Sequence, residues 1–487
     1  MALQLPLQFP LPWAIVFLPW LGALLLAALP RERIAALANI GVSAVAFILA
    51  LFLFGHPAGE QGWTRVDALN TPLVVLSFLI GLSSAVFSFG AIATERFDAL
   101  RLRAYHVAFQ VFMGAQALAL LADNMGVMWV AIEIATMASV LMVAVHGTPA
   151  ATHAAWKMFL ICGVGITLAL LGTIILYLAV QPLVGHGDIG LSWAELRAVA
   201  ADCDPGVLNL AFIFLLVGYG TKAGLAPLHS WLPDAEAEGP IAMSAVLSGL
   251  LLNAALHAVL RAKAIVGAHP GTVPPGYYLV ALGLASVLLA GFALWRRRDA
   301  RRFFAWSSIE HMGLAAIAFG LGGTIANLAG LLHMLGHSLC KSAVFFGVGH
   351  AAQLRGSQKT ADIAGLCASH PGLGWGLAIA IAAVAGLPPF ALFASEFLLL
   401  TEVAGHYAWL MLPLGIGLLT ATAAKIHTLQ ALCLGDPTPD APDTPALRNE
   451  WATLGPVWLQ LVLAVLLGAA LPAPLSALLA DAAGILG

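Results

Sequence analysis

Charge is what this chain has least of. Only 9% of its 487 residues are Asp, Glu, Lys or Arg, against about 25% in an ordinary soluble domain, and 61% are hydrophobic. A water-soluble globular fold is excluded. The formal net charge of −3 provides no basic surface for nucleic acid and no strongly acidic one for a cationic partner. Cysteine is also sparse. Cys162, Cys203, Cys340, Cys367 and Cys433 are scattered, with no C-x-x-C pair, which argues against a zinc site, an iron–sulfur cluster or a disulfide framework. Neither a metal site nor a cofactor is expected in this chain. MALQLPLQFPLPW has no basic stretch before the first apolar run, so no cleaved signal peptide is expected.

What the chain has in plenty is apolar runs of membrane-spanning length, about 20 residues each. Fourteen are predicted, over 12–30, 34–54, 68–93, 105–122, 125–146, 153–181, 207–228, 240–261, 276–295, 303–321, 324–352, 371–400, 409–433 and 452–480. The fold class is therefore an all-α polytopic membrane protein. Pro227 and Pro233 interrupt the seventh run and Pro388 and Pro389 the twelfth, predicting a broken or kinked helix in each. Such breaks are tolerated at membrane depth only where they are buried in protein or line a wet cavity.

Basic residues set the orientation. Arg31, Arg33, Arg96, Arg101, Arg103, Arg296, Arg297, Arg298, Arg301, Arg302, Arg355, Lys359 and Arg448 fall in odd-numbered loops, and only Arg65, Arg197, Arg261 and Lys263 in even ones. That split places the odd loops in the cytoplasm and both termini outside a bacterial or archaeal inner membrane. No loop is long enough for a soluble domain, so the lipid bilayer and other proteins are the expected partners.

Six ionisable residues lie inside the runs: Glu133, Lys157, Lys222, Glu310, Lys341 and Glu396. Each costs roughly 2.5–3.5 kcal/mol at the bilayer centre, and six unpaired would cost on the order of 15–20 kcal/mol. They must be paired or hydrated inside the bundle, and such a set is by default a path for protons or ions. His333-x3-His337-x3-Lys341 puts three titratable groups on one helix stripe about 12 Å long. A water-bridged relay is one reading. Two structural histidines and one paired lysine is the other. Glu133 and Lys222 form the natural ion pair, either a proton-loading switch or a static bridge. Glu396 is either an exit group or a helix cap. Glu310 with His311, and Lys157, rank lower, because both sit where they can reach the cytoplasmic surface. The acids of His229-Ser-Trp-Leu-Pro-Asp234-Ala-Glu236-Ala-Glu238 are read as a solvated loop, or as cation collectors at an entrance.

Three short echoes recur in the same order. Ile132-Glu133 returns as Ile309-Glu310. Lys157 followed by Gly163-Val164-Gly165 returns as Lys341 followed by Gly347-Val348-Gly349. Ala223-Gly224-Leu225-Ala226-Pro227 returns as Ala385-Gly386-Leu387-Pro388-Pro389. Partners are five runs apart, an odd number, so two five-helix units would cross the membrane in opposite senses. The organisation predicted is 1–104 for helices one to three, 105–261 for the first repeat, 276–433 for the second and 452–487 for the last helix.

These residues resemble the proton-translocating, antiporter-like membrane subunits shared by respiratory complex I, membrane-bound hydrogenases and multisubunit cation/proton antiporters. The likeness runs from about the fourth run to the thirteenth and is carried by WVAIEIATMASVL (129–141), KAGLAPLHSWLPDAEAEGPIAMSAVLSGLLLNAALHAVLR (222–261), WSSIEHMGLAA (306–316) and LLHMLGHSLCKSAVFF (331–346). The second and third stretches look most like component F of the hydrogenase-4 and formate-hydrogenlyase group. The chain ends after its fourteenth run, without the long lateral helix of the most distal complex I subunit of this kind. The resemblance implies that Glu133 is the family's glutamate on the fifth helix and Lys222 its lysine on the broken seventh. It makes Lys341 the central lysine of the eleventh helix, His333 and His337 its upstream histidines, and Glu396 the terminal group of the broken twelfth. Protons would pass along this midplane, driven by redox chemistry in partner subunits, namely other membrane subunits and a peripheral redox module. Many relatives carry a lysine or histidine on the eighth helix. Here Ser248 and Asn253 stand there, leaving His257 or water to bridge. No catalytic or cofactor site of its own is implied. A sodium/proton antiporter module, a proton-driven inorganic-carbon uptake subunit and a non-conducting membrane anchor are the other readings.

Overall fold

The computed structural model describes residues 10–29, 32–91, 95, 97–437 and 450–487. Arg31, Arg96 and Arg448, used above for orientation, lie outside them. The bundle is built from α1 (Leu11–Ala28), α2 (Glu32–Leu51), α3 (Thr71–Ala91), α4 (Ala99–Leu121), α5 (Met125–Ala144), α6 (Pro149–Val184), α7 (Pro205–Lys222), α8 (Leu232–Glu238), α9 (Ile241–Val266), α10 (Pro275–Leu294), α11 (Ala300–Leu321), α12 (Gly323–Arg355), α13 (Pro371–Val384), α14 (Ala391–His406), α15 (Ala408–Cys433), α16 (Glu450–Ala469) and α17 (Ala473–Leu486). A two-stranded hairpin, Gly59–Gln61 with Thr64–Val66, joins α2 to α3.

Among the described residues, twelve helices are long and apolar enough to cross a membrane. The other two expected spans, 303–321 and 371–400, do not reach that length and hydropathy as single helices. One is α11, 22 residues long, whose Trp306-Ser-Ser-Ile-Glu-His311 stretch makes it more polar than its neighbours. The other is the broken α13–α14. Starts are marked by side-chain caps: Asp98, Asn124, Thr148, Asp204 and Asp299 each accept a hydrogen bond from a first-turn backbone N–H, satisfying donors that the helix leaves free.

Two expectations need correcting. The run 452–480 is not one helix. Pro472 removes an amide and forbids continuation, so α16 stops at Ala469 and α17 packs against α12. There Lys263 Nζ donates to Leu486 O at 2.9 Å and Asn327 Nδ2 to Gly487 O at 2.8 Å. Arg261 and Lys263 are not loop residues but end α9, buried. Arg261 pairs with Asp67 at 2.7 Å and lies 4.6 Å over the Trp193 ring. Burial pushes the Asp67 carboxyl up, but the guanidinium outweighs it and holds that carboxyl below its usual range. Both predicted breaks are present, with Pro227 in the first gap and Pro388 and Pro389 in the second. Helices α7 and α13 stop ahead of these prolines, at Lys222 and Val384, where Gly224 and Gly386 each take φ +75, a left-handed conformation that costs glycine nothing. Pro227 and Pro389 follow across cis peptide bonds, and Pro233 sits in the first turn of α8.

The centre of the bundle is α9 and α12. Every residue of Ile241–Val266 is buried, as is all of 329–352. These helices carry the Asn, Ser, His and Lys side chains, whereas fewer than half of the residues of α2 and α6 are buried. In α9 the turn Leu247–Leu251 is π-helical. Ser338 Oγ donates to Gly249 O at 2.6 Å and Gln116 Nε2 to Leu250 O at 2.8 Å, occupying carbonyls in that turn.

Helices α10 and α11 approach through glycine on both sides, Gly276 against Gly320 and Gly283 against Gly313. A Cβ at Gly283 would lie 2.6 Å from Gly313 O, so this close crossing admits no side chain. Gly283→Leu is expected to destabilise the protein by about 1–3 kcal/mol, the usual cost of overpacking. This would appear as a lowered thermal midpoint in detergent. An unchanged midpoint would contradict the packing described.

Candidate functional site

In the first half the site begins at a helix end. Lys222 is the last residue of α7, fully buried, at the terminus where a cation is favoured by the helix dipole. Its Nζ donates to Glu133 Oε2 at 3.0 Å and to Thr136 Oγ1, one turn on along α5. The expected Glu133–Lys222 pair is thus formed. Glu133 remains 25% exposed and opens into a groove lined by Val107, Val111, Trp129, Met137 and Leu141.

The second half gathers around a residue ranked low from the sequence. His311, fully buried on α11, lies 5.2 Å ring to ring from His333 and 5.3 Å from His337. Lys425, on α15, places Nζ 3.3 Å from His311 Nε2. A lysine ammonium can only donate, so Nε2 accepts and the ring hydrogen is on Nδ1. That atom faces His333 Nε2 at 3.2 Å, and His333 Nδ1 then donates to Ser395 Oγ at 2.9 Å. Ser395 in turn donates to Leu392 O at 2.8 Å. The tautomers follow from this network, and they make a directed file of hydrogen bonds. Glu396 Oε1 stands 4.0 Å from His311 Nδ1. A Cβ on Gly386 would strike the Glu396 carboxylate, so glycine is needed there for closeness as well as for φ.

Lys341 is buried at mid-helix and donates to Phe304 O at 2.6 Å. His337, one turn earlier, is buried with both ring nitrogens free of hydrogen-bond partners. The stripe His333–His337–Lys341 is therefore real, with His311 inserted against its upstream end. Glu310 does not reach for the surface. It is fully buried, 2.6 Å from Lys425 Nζ.

Two candidate residues escaped the reading of the sequence. Lys425 sits inside an apolar run and carried the same signal as the other six. Glu236 was read as part of a solvated or cation-collecting segment, yet it is completely buried and neither carboxylate oxygen has a hydrogen-bond partner. Ser248 and Ser308, joined Oγ to Oγ at 2.8 Å, lie beside it, and its charge acts on Lys341 and Arg301. Asp234, two residues back, turns outward to Lys157 (2.7 Å) and Arg302 (3.3 Å), and Glu238 also pairs with Arg302 (2.7 Å). Alternation on a helix was the missed signal: two residues are about 200° apart, so Glu236 had to face away from the other two acids. Lys157 thus belongs to this surface network rather than to the buried file. His257 is also not brought into it, since its Nε2 accepts from Arg261 at 3.3 Å beside Asp67. Glu236 thus places a carboxyl beside Ser248 of the following helix.

Among the described residues, His311, His333 and Glu396 place ligand atoms within 4.8 Å of one another, a spacing that could hold a metal ion. Two of those nitrogens already share a hydrogen and the Lys425 ammonium is adjacent, so the donor set fits a proton relay better than a cation.

Helices broken between Lys222 and Leu232 and between Val384 and Ala391, with a buried file of lysines, acids and histidines beside them, define a polytopic membrane protein built like an ion-coupled transporter. Residues 122–421 match the family described as NADH:quinone oxidoreductase/Mrp antiporter, transmembrane. The chain belongs to that family. It is 46% identical to a hydrogenase-4 component F homolog of Methylacidiphilum infernorum, over 88% of this chain and 91% of the relative. It is 25% identical to the D component of a Na+/H+ antiporter of Alkalihalophilus pseudofirmus, over 73% and 70%. A chain of the membrane-bound sulfane sulfur reductase, an archaeal respiratory membrane complex, superposes with a TM-score of 0.84 at 21% identity, covering 98% of this chain and 97% of that one.

Proposed function

We propose that this chain is the proton-translocating subunit of a multisubunit redox complex in a bacterial or archaeal inner membrane, with odd-numbered loops in the cytoplasm and both termini outside. Protons move along the midplane by way of Glu133, Lys222, Glu236, Lys341, His337, His311, His333 and Glu396. The observation that carries this reading is the buried file itself. Ionisable side chains are costly in a membrane and are kept where they move charge, and here they fall into two networks, Glu133 with Lys222 and Glu310, Lys425, His311 and His333 together. Each charge moved against 100 mV needs about 2.3 kcal/mol. The chain is proposed to hold no cofactor and to draw that energy from a peripheral redox module bound to its membrane partners.

The test uses the assembled complex in inverted membrane vesicles, with a pH-sensitive dye. Addition of the redox substrates is expected to acidify the lumen equally with and without sodium, and Lys222→Ala/Lys341→Ala is expected to abolish the signal while the complex still assembles. Acidification that depends on sodium would favour the antiporter reading, and normal acidification in the double variant would leave only a membrane anchor.

A further inference from the structure

The two halves differ at the position that matters most. Counting from the shared Ala-Gly-Leu of the breaks, the residue before Ala223 is Lys222 and the residue before Ala385 is Val384. The helix ends are otherwise alike. Ala223 N donates to Tyr219 O and Ala385 N to Ile381 O, both at 2.8 Å. Leu225 N and Leu387 N reach back to Gly220 O and Ala382 O, at 2.9 and 3.2 Å. Glu133 and Glu310 also correspond, each following an isoleucine five spans apart. The second half therefore has the carboxylate and the helix end but a valine where the first has its lysine.

Lys425 fills that place from another helix. Its ammonium lies 2.6 Å from Glu310 and donates to Val384 O at 3.0 Å, the carbonyl of the residue that corresponds to Lys222. Both side chains are essentially unexposed, 1% for Lys425 and 0% for Glu310. A cation at a broken helix end satisfies a free carbonyl and the negative end of the dipole, so α15 delivers the charge to the site that α7 fills with its own last residue. Burying an ion pair in place of apolar side chains contributes little or nothing to stability. This pair, moreover, opens directly onto the hydrogen-bond file through His311.

We propose that Glu310 and Lys425 are the proton-loading pair of the second half, the counterpart of Glu133 and Lys222 with its lysine transferred from the broken helix to α15. The inference rests on the proton-transport reading given above. When Glu310 is close, the ammonium holds its proton, and when the carboxylate is drawn off or neutralised, the lysine gives it up. One proton then passes from Lys425 Nζ to His311 Nε2, leaving a neutral amine, and His311 releases its Nδ1 proton to His333 Nε2. The amine is reprotonated from the Lys341 side and His333 gives up its Nδ1 proton by way of Ser395 Oγ, so one proton enters the file and one leaves it.

The experiment measures redox-driven acidification by the assembled complex in vesicles, with complex content quantified for each variant. Lys425→Ala is expected to lower the rate at least tenfold. Lys425→Arg keeps a cation beside Glu310 but cannot release a proton, and is expected to assemble normally and pump no faster than Lys425→Ala. Val384→Lys/Lys425→Ala returns a lysine to the position it has in the first half and is expected to recover a third or more of the wild-type rate. Wild-type pumping by Lys425→Arg would make the pair purely structural and overturn the proposal, and an assembled but inactive double variant would overturn the equivalence of the two lysine positions. Lys222→Ala, measured alongside, separates the two levels. If it pumps normally, the transport reading itself fails. If it fails to pump while Lys425→Ala and Lys425→Arg are unaffected, only the present proposal falls.

Discussion

Lys341→Ala is expected to reduce redox-driven proton movement by about 10²–10⁴-fold, the range contributed by a positioned proton-transfer group, with the complex still assembled. Lys341 stands at the middle of α12, wholly buried, with the Phe304 carbonyl as its hydrogen-bond acceptor. On one side its charge is felt by Glu236 and on the other by His337. Without an amine at this point the two halves are joined by serine hydroxyls and the Phe304 carbonyl, and none of these titrates. Removing a long buried side chain also leaves a cavity, so complex content must be measured beside the acidification rate. Full coupling in Lys341→Ala would mean that the halves work independently or that protons take another route.

The second large effect is expected at Glu236. Glu236→Gln is nearly isosteric and preserves the packing against Ser248 and Ser308, yet it removes the carboxyl whose charge acts on Lys341. Loss of pumping by about 10² or more is expected, with normal assembly. Asp234→Asn, two residues away on the same short helix, breaks surface pairs with Lys157 and Arg302. Exposed pairs of this kind contribute about 0–1 kcal/mol, so pumping is expected to change less than twofold. The contrast between neighbours is the informative result. Equal losses in both would show that α8 matters as a structural element rather than through a single carboxylate.

Much of this architecture was legible without coordinates because lipid leaves few choices. Apolar runs of the right length had to be helices, and twelve of the fourteen predicted runs hold a helix long and apolar enough to cross a membrane. The pair Glu133–Lys222 and the stripe His333–His337–Lys341 followed from charge and helical spacing alone. What could not be read was which distant helices meet. Nothing local to His311 distinguishes a hub from a residue that reaches the surface. The outcome depends on α11, α12, α14 and α15 converging, with His333, Ser395 and Lys425 each arriving from a different helix. Glu236 was hidden for another reason. Its neighbours Asp234 and Glu238 are indeed at the surface, and a helix of seven residues is too short for its inward face to show as a pattern. The end of α16 was misjudged more simply, because Pro472 interrupts a stretch that composition alone reads as continuous.

The file from Lys425 through His311 and His333 to Ser395 points one way. Once a hydrogen has hopped along it, every imidazole is left in its other tautomer, with its acceptor nitrogen where its donor had been, and the same hop cannot be repeated. Each ring must turn over, or hand its hydrogen back, before the next passage. These rings are enclosed on all sides, so turning requires the neighbouring helices to yield briefly. The file therefore keeps a memory of the last event and admits one passenger per resetting. A wire of water, which reorients in picoseconds, would instead leak in both directions at once.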